Sequence, residues 1–202
     1  MTFIPQDQIE ARAAELWRQH GLSVGFDVER LLDDLGLDLL WESLPASDDG
    51  VVLGQLIPKE KLVVLNEAQR ERLEQAGGRQ RRYTVGHELG HWTLHSDAAR
   101  SGTLSLFDGR RVLCRDKSAH PVERQAEKFA AALLMPREEL RPALPVAPWR
   151  GWRHVYDLAD RFVVTPTAMA VRLEELGWMH RDEDDVPSSG RRVPAGQGSL
   201  FL

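Results

Sequence analysis

The stretch GHELGHWTLH, residues 86–95, constrains this chain more than any other part of it. Two histidines, His87 and His91, stand four residues apart with Glu88 beside the first. On a helix of 3.6 residues per turn they share one face, one turn apart. Two imidazoles so placed reach one zinc ion at about 2.0–2.1 Å. Glu88 lies where a carboxylate can take a proton from water and deliver it to a leaving amine. Such a site needs a third ligand, and His95 does not supply it. Eight residues along a helix separate it from His87 by about 12 Å. The zinc motif that uses a third histidine turns the chain with a glycine after the second, whereas Trp92, Thr93 and Leu94 follow His91 here. His95 therefore reads as a hydrogen-bonding partner beside the site or at the helix end.

The remaining candidates lie downstream: Cys114, His120, Glu123 and Glu127. The segment VERQAEKFAAALLMP, residues 122–136, has the period of a helix stopped by Pro136. Ala126, Phe129, Ala130, Leu133 and Leu134 form its apolar stripe. At about 100° per residue, Glu123 lies about 60° from the centre of that stripe and Glu127 about 100°. Both border the core, Glu123 further in. A carboxylate there needs a partner, because an unpaired buried charge is costly; a metal ion is one, and a salt bridge to Arg124 or Lys128 is another.

Around these motifs the chain reads as α+β. Helices are expected over Pro5–His20, ended by Gly21, and over the segment that Asp27 caps and Gly36 ends. Three extended runs follow, LDLLWESL and the two halves of GVVLGQLIPKEKLVVLNE with a turn at Pro58–Lys59–Glu60. They predict a small, largely antiparallel sheet. Gly77–Gly78 separates a polar helix from the histidine-bearing one, and TLSLFDGRRVLCR reads either as a hairpin turning at Asp108–Gly109 or as an irregular flap. A Pro-rich link, RPALPVAPWRGW, leads to two last helices, Val155–Phe162 and Pro166–Leu176. This divides the chain into a core over 1–145, a small helical part over 146–180 and a flexible tail over 181–202. The lone Cys114 excludes an internal disulfide and any zinc site built from several cysteines. No signal peptide or apolar run of membrane-spanning length is visible, so the expected location is the cytoplasm.

RYTVGHELGHWTLH followed by ERQAEKFAAALLMP resembles the ImmA/IrrE family of metallopeptidases, over roughly Leu32 to Trp178. The resemblance implies a zincin-like core with a small antiparallel sheet and an active-site helix, followed by helix-turn-helix-like helices. It also implies one zinc ion held by His87, His91 and Glu123, with Glu88 as general base in peptide-bond hydrolysis. In many members an asparagine stands where this chain has Glu127. The implied substrate is one specific protein, a helix-turn-helix transcriptional repressor, whose loss derepresses stress-response or mobile-element genes. An oxyanion-stabilising group is expected, with His120, His154 and Tyr156 as unranked candidates.

Two other functions compete with this one. DLADRFVVTPTAMAVRLEELGW has the look of a helix-turn-helix, but Arg172 is its only cation between Thr165 and Trp178, against Glu174 and Glu175. DNA affinity rests largely on phosphate neutralisation, so direct nucleic-acid binding is not expected. Leu158, Phe162, Ala168, Val171 and Leu176 instead read as packing residues. The second alternative is an interaction module whose metal site does no catalysis. Finally, the apolar end GQGSLFL closes a polar stretch and needs something to receive it. Three readings stay open for Leu200, Phe201 and Leu202: they fold back onto the domain, they dock on a partner, or they have no role; Gln197, Leu200 and Phe201 resemble peptides that dock on the bacterial replication sliding clamp.

Overall fold

A computed structural model describes residues 4–45, 51–100 and 121–190, with residues 96–100 as backbone only. The expected hairpin or flap at Asp108–Gly109, Cys114, His120 and the apolar C-terminus lie outside the described residues. The chain forms two compact units, Met1–Pro136 and Arg137–Leu202.

The first unit opens with α1 (Gln6–His20), which buries Ile9, Ala13 and Leu16 along one stripe. Gly21, at φ 57°, ends it in the left-handed conformation that glycine adopts without a Cβ penalty. Helix α2 (Val28–Asp34) is capped by the Asp27 carboxylate, which accepts from the amides of Glu29 and Arg30. Gly36 turns the chain into β1 (Asp38–Glu42), and β2 (Gly54–Ile57) and β3 (Leu62–Asn66) follow as a hairpin.

The sheet is mixed, not largely antiparallel as the sequence led us to expect. Its order is β1-β3-β2, with β3 antiparallel to β2 and parallel to β1. Each link between consecutive strands reverses direction, so three strands laid side by side in chain order would all be antiparallel. Because β3 enters between the other two, it runs the same way as β1. Its composition favours the centre: Val63, Val64 and Leu65 are all buried, so both faces of β3 are covered. Asn66 closes the strand, donating to the Val52 carbonyl at 2.7 Å and accepting from the amides of Leu44 at 3.2 Å and Ala68 at 3.1 Å.

Helix α3 (Arg70–Arg100) follows a short 3-10 turn and is broken at residues 75–78, where Ala76, Gly77 and Gly78 all take positive φ. The glycine pair thus divides the polar segment from the histidine-bearing one, as the sequence indicates. Helix α4 (Pro121–Leu134) packs on α3 and on α1, where the Trp17 indole N–H donates to the Leu133 carbonyl at 2.8 Å.

The second unit contains α5 (Arg137–Ala143), α6 (Arg153–Phe162), α7 (Pro166–Glu175) and a hairpin of β4 (Met179–Arg181) and β5 (Pro187–Ser189). Helix α5 precedes the stretch read from sequence as a Pro-rich link and runs into its first residues, Arg141 to Ala143. It belongs with this unit, where the Arg137 guanidinium lies 5.8 Å from the Trp178 ring centroid, so the division comes at Pro136 instead of residue 145. The expected tail from Arg181 onward begins as ordered hairpin. Arg181 forks onto Glu174 at 2.6 and 2.9 Å and reaches Asp185 at 3.0 Å, and Ser189 N–H donates to the Trp149 carbonyl at 3.0 Å. Those partners are distant in sequence or separated by a turn, which is why composition alone read the segment as solvated.

Helix α7 starts at Thr165, whose hydroxyl accepts from the Ala168 amide at 3.2 Å, with Pro166 at its first position. Leu158, Phe162 and Ala168 are buried as expected, but Val171 is 37% exposed and Leu176 half-buried. Met169, Ala170 and Leu173 fill that role, together with Arg172. No helix among the described residues is long and apolar enough to cross a membrane.

Candidate metal centre

His87 and His91 lie one turn apart on the second segment of α3, each 5% exposed. Their Nε2 atoms are 3.0 Å apart. Glu123, in the first turn of α4, brings its Oε2 to 3.1 Å from His87 Nε2 and 3.4 Å from His91 Nε2. Four ligands at tetrahedral corners about 2.0–2.1 Å from zinc would stand about 3.3–3.4 Å from one another. The three observed separations are within a few tenths of an ångström of that spacing. His87, His91 and Glu123 are also the one group of three or more potential metal-ligating side chains that converge among the described residues.

The donor chemistry suits a cation. Two imidazole nitrogens and a carboxylate oxygen face a common point, while both Nδ1 atoms are buried and turned away from it, without hydrogen-bond partners. Burial pushes the Glu123 carboxyl up, but hydrogen bonds from His87 and His91 outweigh it and hold it at about 2. Burial pushes His87 down, yet Glu123, with Glu88 and Glu127 further off, raises it above its ordinary value. The pocket thus keeps an ionised carboxylate out of water and favours positive charge opposite it.

Glu88 is 4% exposed and does not belong to the converging group. Burial pushes its carboxyl above the ordinary carboxylate range, His87 and His91 pull it partly back, and a hydrogen bond from the Leu56 backbone also favours the ionised form. This contact places strand β2 beside the site. Gly54 permits it: a Cβ there would fall 2.7 Å from Thr84 Cγ2 on α3. His95, 6% exposed, holds its ring tilted at 51° to that of His91 with centroids 6.1 Å apart, but contributes no atom to the cluster. Glu127 is half-buried and likewise outside it. Of the candidate oxyanion groups, His154 and Tyr156 belong to the second unit.

A feature that sequence reading missed brings these three side chains together. Gly86 and Gly90 are four apart on α3, as are Ala126 and Ala130 on α4, so small residues face small residues where the helices cross. A Cβ on Gly90 would lie 2.8 Å from the Ala126 carbonyl oxygen and 2.9 Å from its Cα. A Cβ on Gly86 would meet Leu134 Cδ1 at 3.2 Å and Ala130 Cβ at 3.6 Å. Rising numbers on α3 meet falling numbers on α4, so the two helices run antiparallel. Their backbones come close enough for the short Glu123 side chain to reach both imidazoles. Paired small residues at i and i+4 were the available signal.

The sequence matches the Peptidase_M78 family, described as the IrrE N-terminal-like domain, over residues 34–174. Among curated proteins, none matches the chain in sequence. Among solved structures, a Mycobacterium tuberculosis transcriptional regulator shares the fold, with a TM-score of 0.51 and 18% identity. That likeness covers 82% of this chain and 46% of the regulator, so the chain spans less than half the length of that protein. The family match takes in β1 to β3, both segments of α3, and α4 with Glu123, and on it the chain belongs to the IrrE N-terminal-like family of M78 metallopeptidases.

Proposed function

We propose that this chain is a zinc-dependent endopeptidase that cuts one specific protein partner, a helix-turn-helix transcriptional repressor. His87, His91 and Glu123 would hold the zinc, and Glu88 would act as general base. The observation that carries this reading is the meeting of three ligand atoms at 3.0, 3.1 and 3.4 Å beside a buried carboxyl that is not one of them. A zinc ion bound there supplies Lewis acidity at the scissile carbonyl and makes water a nucleophile near neutral pH. The Glu88 carboxylate takes the proton from the attacking water and gives it to the amide nitrogen as the C–N bond breaks. Its raised proton affinity suits both halves of that transfer. Choice of a repressor as substrate rests on the sequence resemblance to ImmA/IrrE proteins.

The DNA-reading alternative loses its only basic residue on α7, because Arg172 is 1% exposed and cannot meet a phosphate. An interaction module with a silent metal site would bind the repressor without cutting it. Incubating the purified chain with candidate helix-turn-helix repressors from its own genome, followed by intact-mass analysis, separates these. The expected result is one cut, abolished by a zinc chelator, with casein left intact. Binding without cleavage, or rapid degradation of casein, would overturn the proposal. Metal analysis tests the ligand set directly: Glu123→Ala should lose most of its zinc, whereas Glu127→Ala should keep close to one ion per chain. The reverse ranking would move the third ligand to Glu127.

A further inference from the structure

Glu123 sits in the first turn of α4 as described, two residues after Pro121. The first turn has the fewest helical hydrogen bonds and is where a helix frays. A third ligand placed there needs a restraint from outside its own helix. His95 provides one. It lies one turn beyond His91 on α3, is 6% exposed, and its ring makes a hydrogen bond to the Val122 backbone. The bond favours the protonated ring, so the ring donates and the Val122 carbonyl accepts. Nε2 is buried without a partner, which leaves Nδ1 as the donating atom. Val122 immediately precedes Glu123. The same stretch of α3 is held in turn by the Arg12 guanidinium, which donates to the Thr93 carbonyl at 3.1 Å.

We infer that His95 is a positioning residue for the metal centre: through its Nδ1–H it fixes the first turn of α4 to α3, and so sets where the Glu123 carboxylate stands relative to His87 and His91. This rests on the zinc-site reading above. No part of the cluster needs His95 as a ligand, yet Glu123 and the histidines stand on different helices. The Gly90–Ala126 contact sets the spacing of those helices from one side of Glu123. The His95–Val122 bond sets it from the other, so the ligand-bearing turn is pinned at both ends.

The test compares three substitutions that differ in where they carry a donor. His95→Asn keeps an N–H near the Nδ1 position, His95→Gln moves it toward the Nε2 position, and His95→Leu removes it. Zinc affinity is read by competition with a chromogenic chelator, and site geometry by the visible absorption of the cobalt-substituted protein. Thermal unfolding of the metal-free forms reports on the fold alone. Groups that orient metal ligands from outside the ligand shell typically contribute about 10–100-fold in affinity. His95→Leu and His95→Gln should fall by that much with a weakened or shifted cobalt spectrum, while His95→Asn stays near wild type. Equal affinities for the Asn and Gln variants would overturn the inference, and so would wild-type affinity in the Leu variant. If His95→Leu does not fold, the Asn–Gln comparison still decides it. Wild type and Glu123→Ala are titrated alongside: no stoichiometric zinc in wild type defeats the metal-site reading itself, whereas tight wild-type binding lost only in Glu123→Ala defeats the role of His95 alone.

Discussion

Glu88→Gln is expected to slow cleavage of the proposed repressor substrate by about 10²–10⁴-fold, the range over which a positioned general acid–base group acts, while zinc content stays near one per chain. The substitution is almost isosteric, and the amide oxygen can still accept from the Leu56 backbone that now meets the carboxylate. Glutamine does not take up a proton in the working pH range, so transfer from water to the leaving nitrogen loses its carrier. The fold should not suffer. Glu88 is 4% exposed, and burial already disfavours its charge, so a neutral side chain of the same shape removes a desolvation penalty. Single-turnover cleavage, metal analysis and thermal unfolding of the same preparation separate the three effects. Cleavage within tenfold of wild type would remove Glu88 from the proposed mechanism. Lost zinc would make it a structural part of the site.

The second large effect is expected from one methyl group. Gly86→Ala and Gly90→Ala are the same change, one turn apart on the same helix, and should differ in sign. Replacing a mid-helix glycine by alanine favours the helix by up to about 1 kcal/mol. At Gly86 the new methyl meets the flexible end of Leu134 at 3.2 Å, which can give way, so that gain should survive as an unchanged or slightly raised Tm. At Gly90 it meets the Ala126 backbone at 2.8 to 3.2 Å, and no rotamer can relieve that. Overpacking of this kind costs about 1–3 kcal/mol, enough to cancel the propensity gain and lower Tm by several degrees. Metal binding should respond more than stability. Glu123 is within one turn of Ala126, and a shift of α4 by some tenths of an ångström exceeds the roughly 0.2 Å that metal–ligand distances tolerate. A zinc affinity at least tenfold weaker for Gly90→Ala, beside a near-normal value for Gly86→Ala, is the expected pair of results. Equal affinities would show that the close approach at Gly90 does not govern the site.

Local rules made much of this protein legible in its sequence. Helix α1 follows from the spacing of Ile9, Ala13 and Leu16 and from Gly21. The cap at Asp27 and the break at Gly77–Gly78 follow from side-chain and backbone chemistry that acts within a few residues. The pairing of His87 with His91 is of the same kind, since helix geometry alone puts two residues four apart on one face. Periodicity carried Glu123 toward the core in the same way. What tertiary structure decided was everything that depends on which distant segment becomes a neighbour. Strand order is the plainest case: each strand was legible, but the insertion of β3 between β1 and β2, and with it the parallel pairing, depends on which strand has both faces covered. The hairpin after α7 is another, because Arg181 finds Glu174 and Ser189 finds Trp149 only once the chain has folded back. The centre itself divides along the same line. Sequence could place two imidazoles on one helix and a carboxylate on another, but the approach of those helices at Gly90 and Ala126 brings their atoms to 3.0–3.4 Å. Periodicity records which face of a helix is apolar; how closely two such faces meet is set by the residue with the least side chain, and only the packed structure shows what that residue touches.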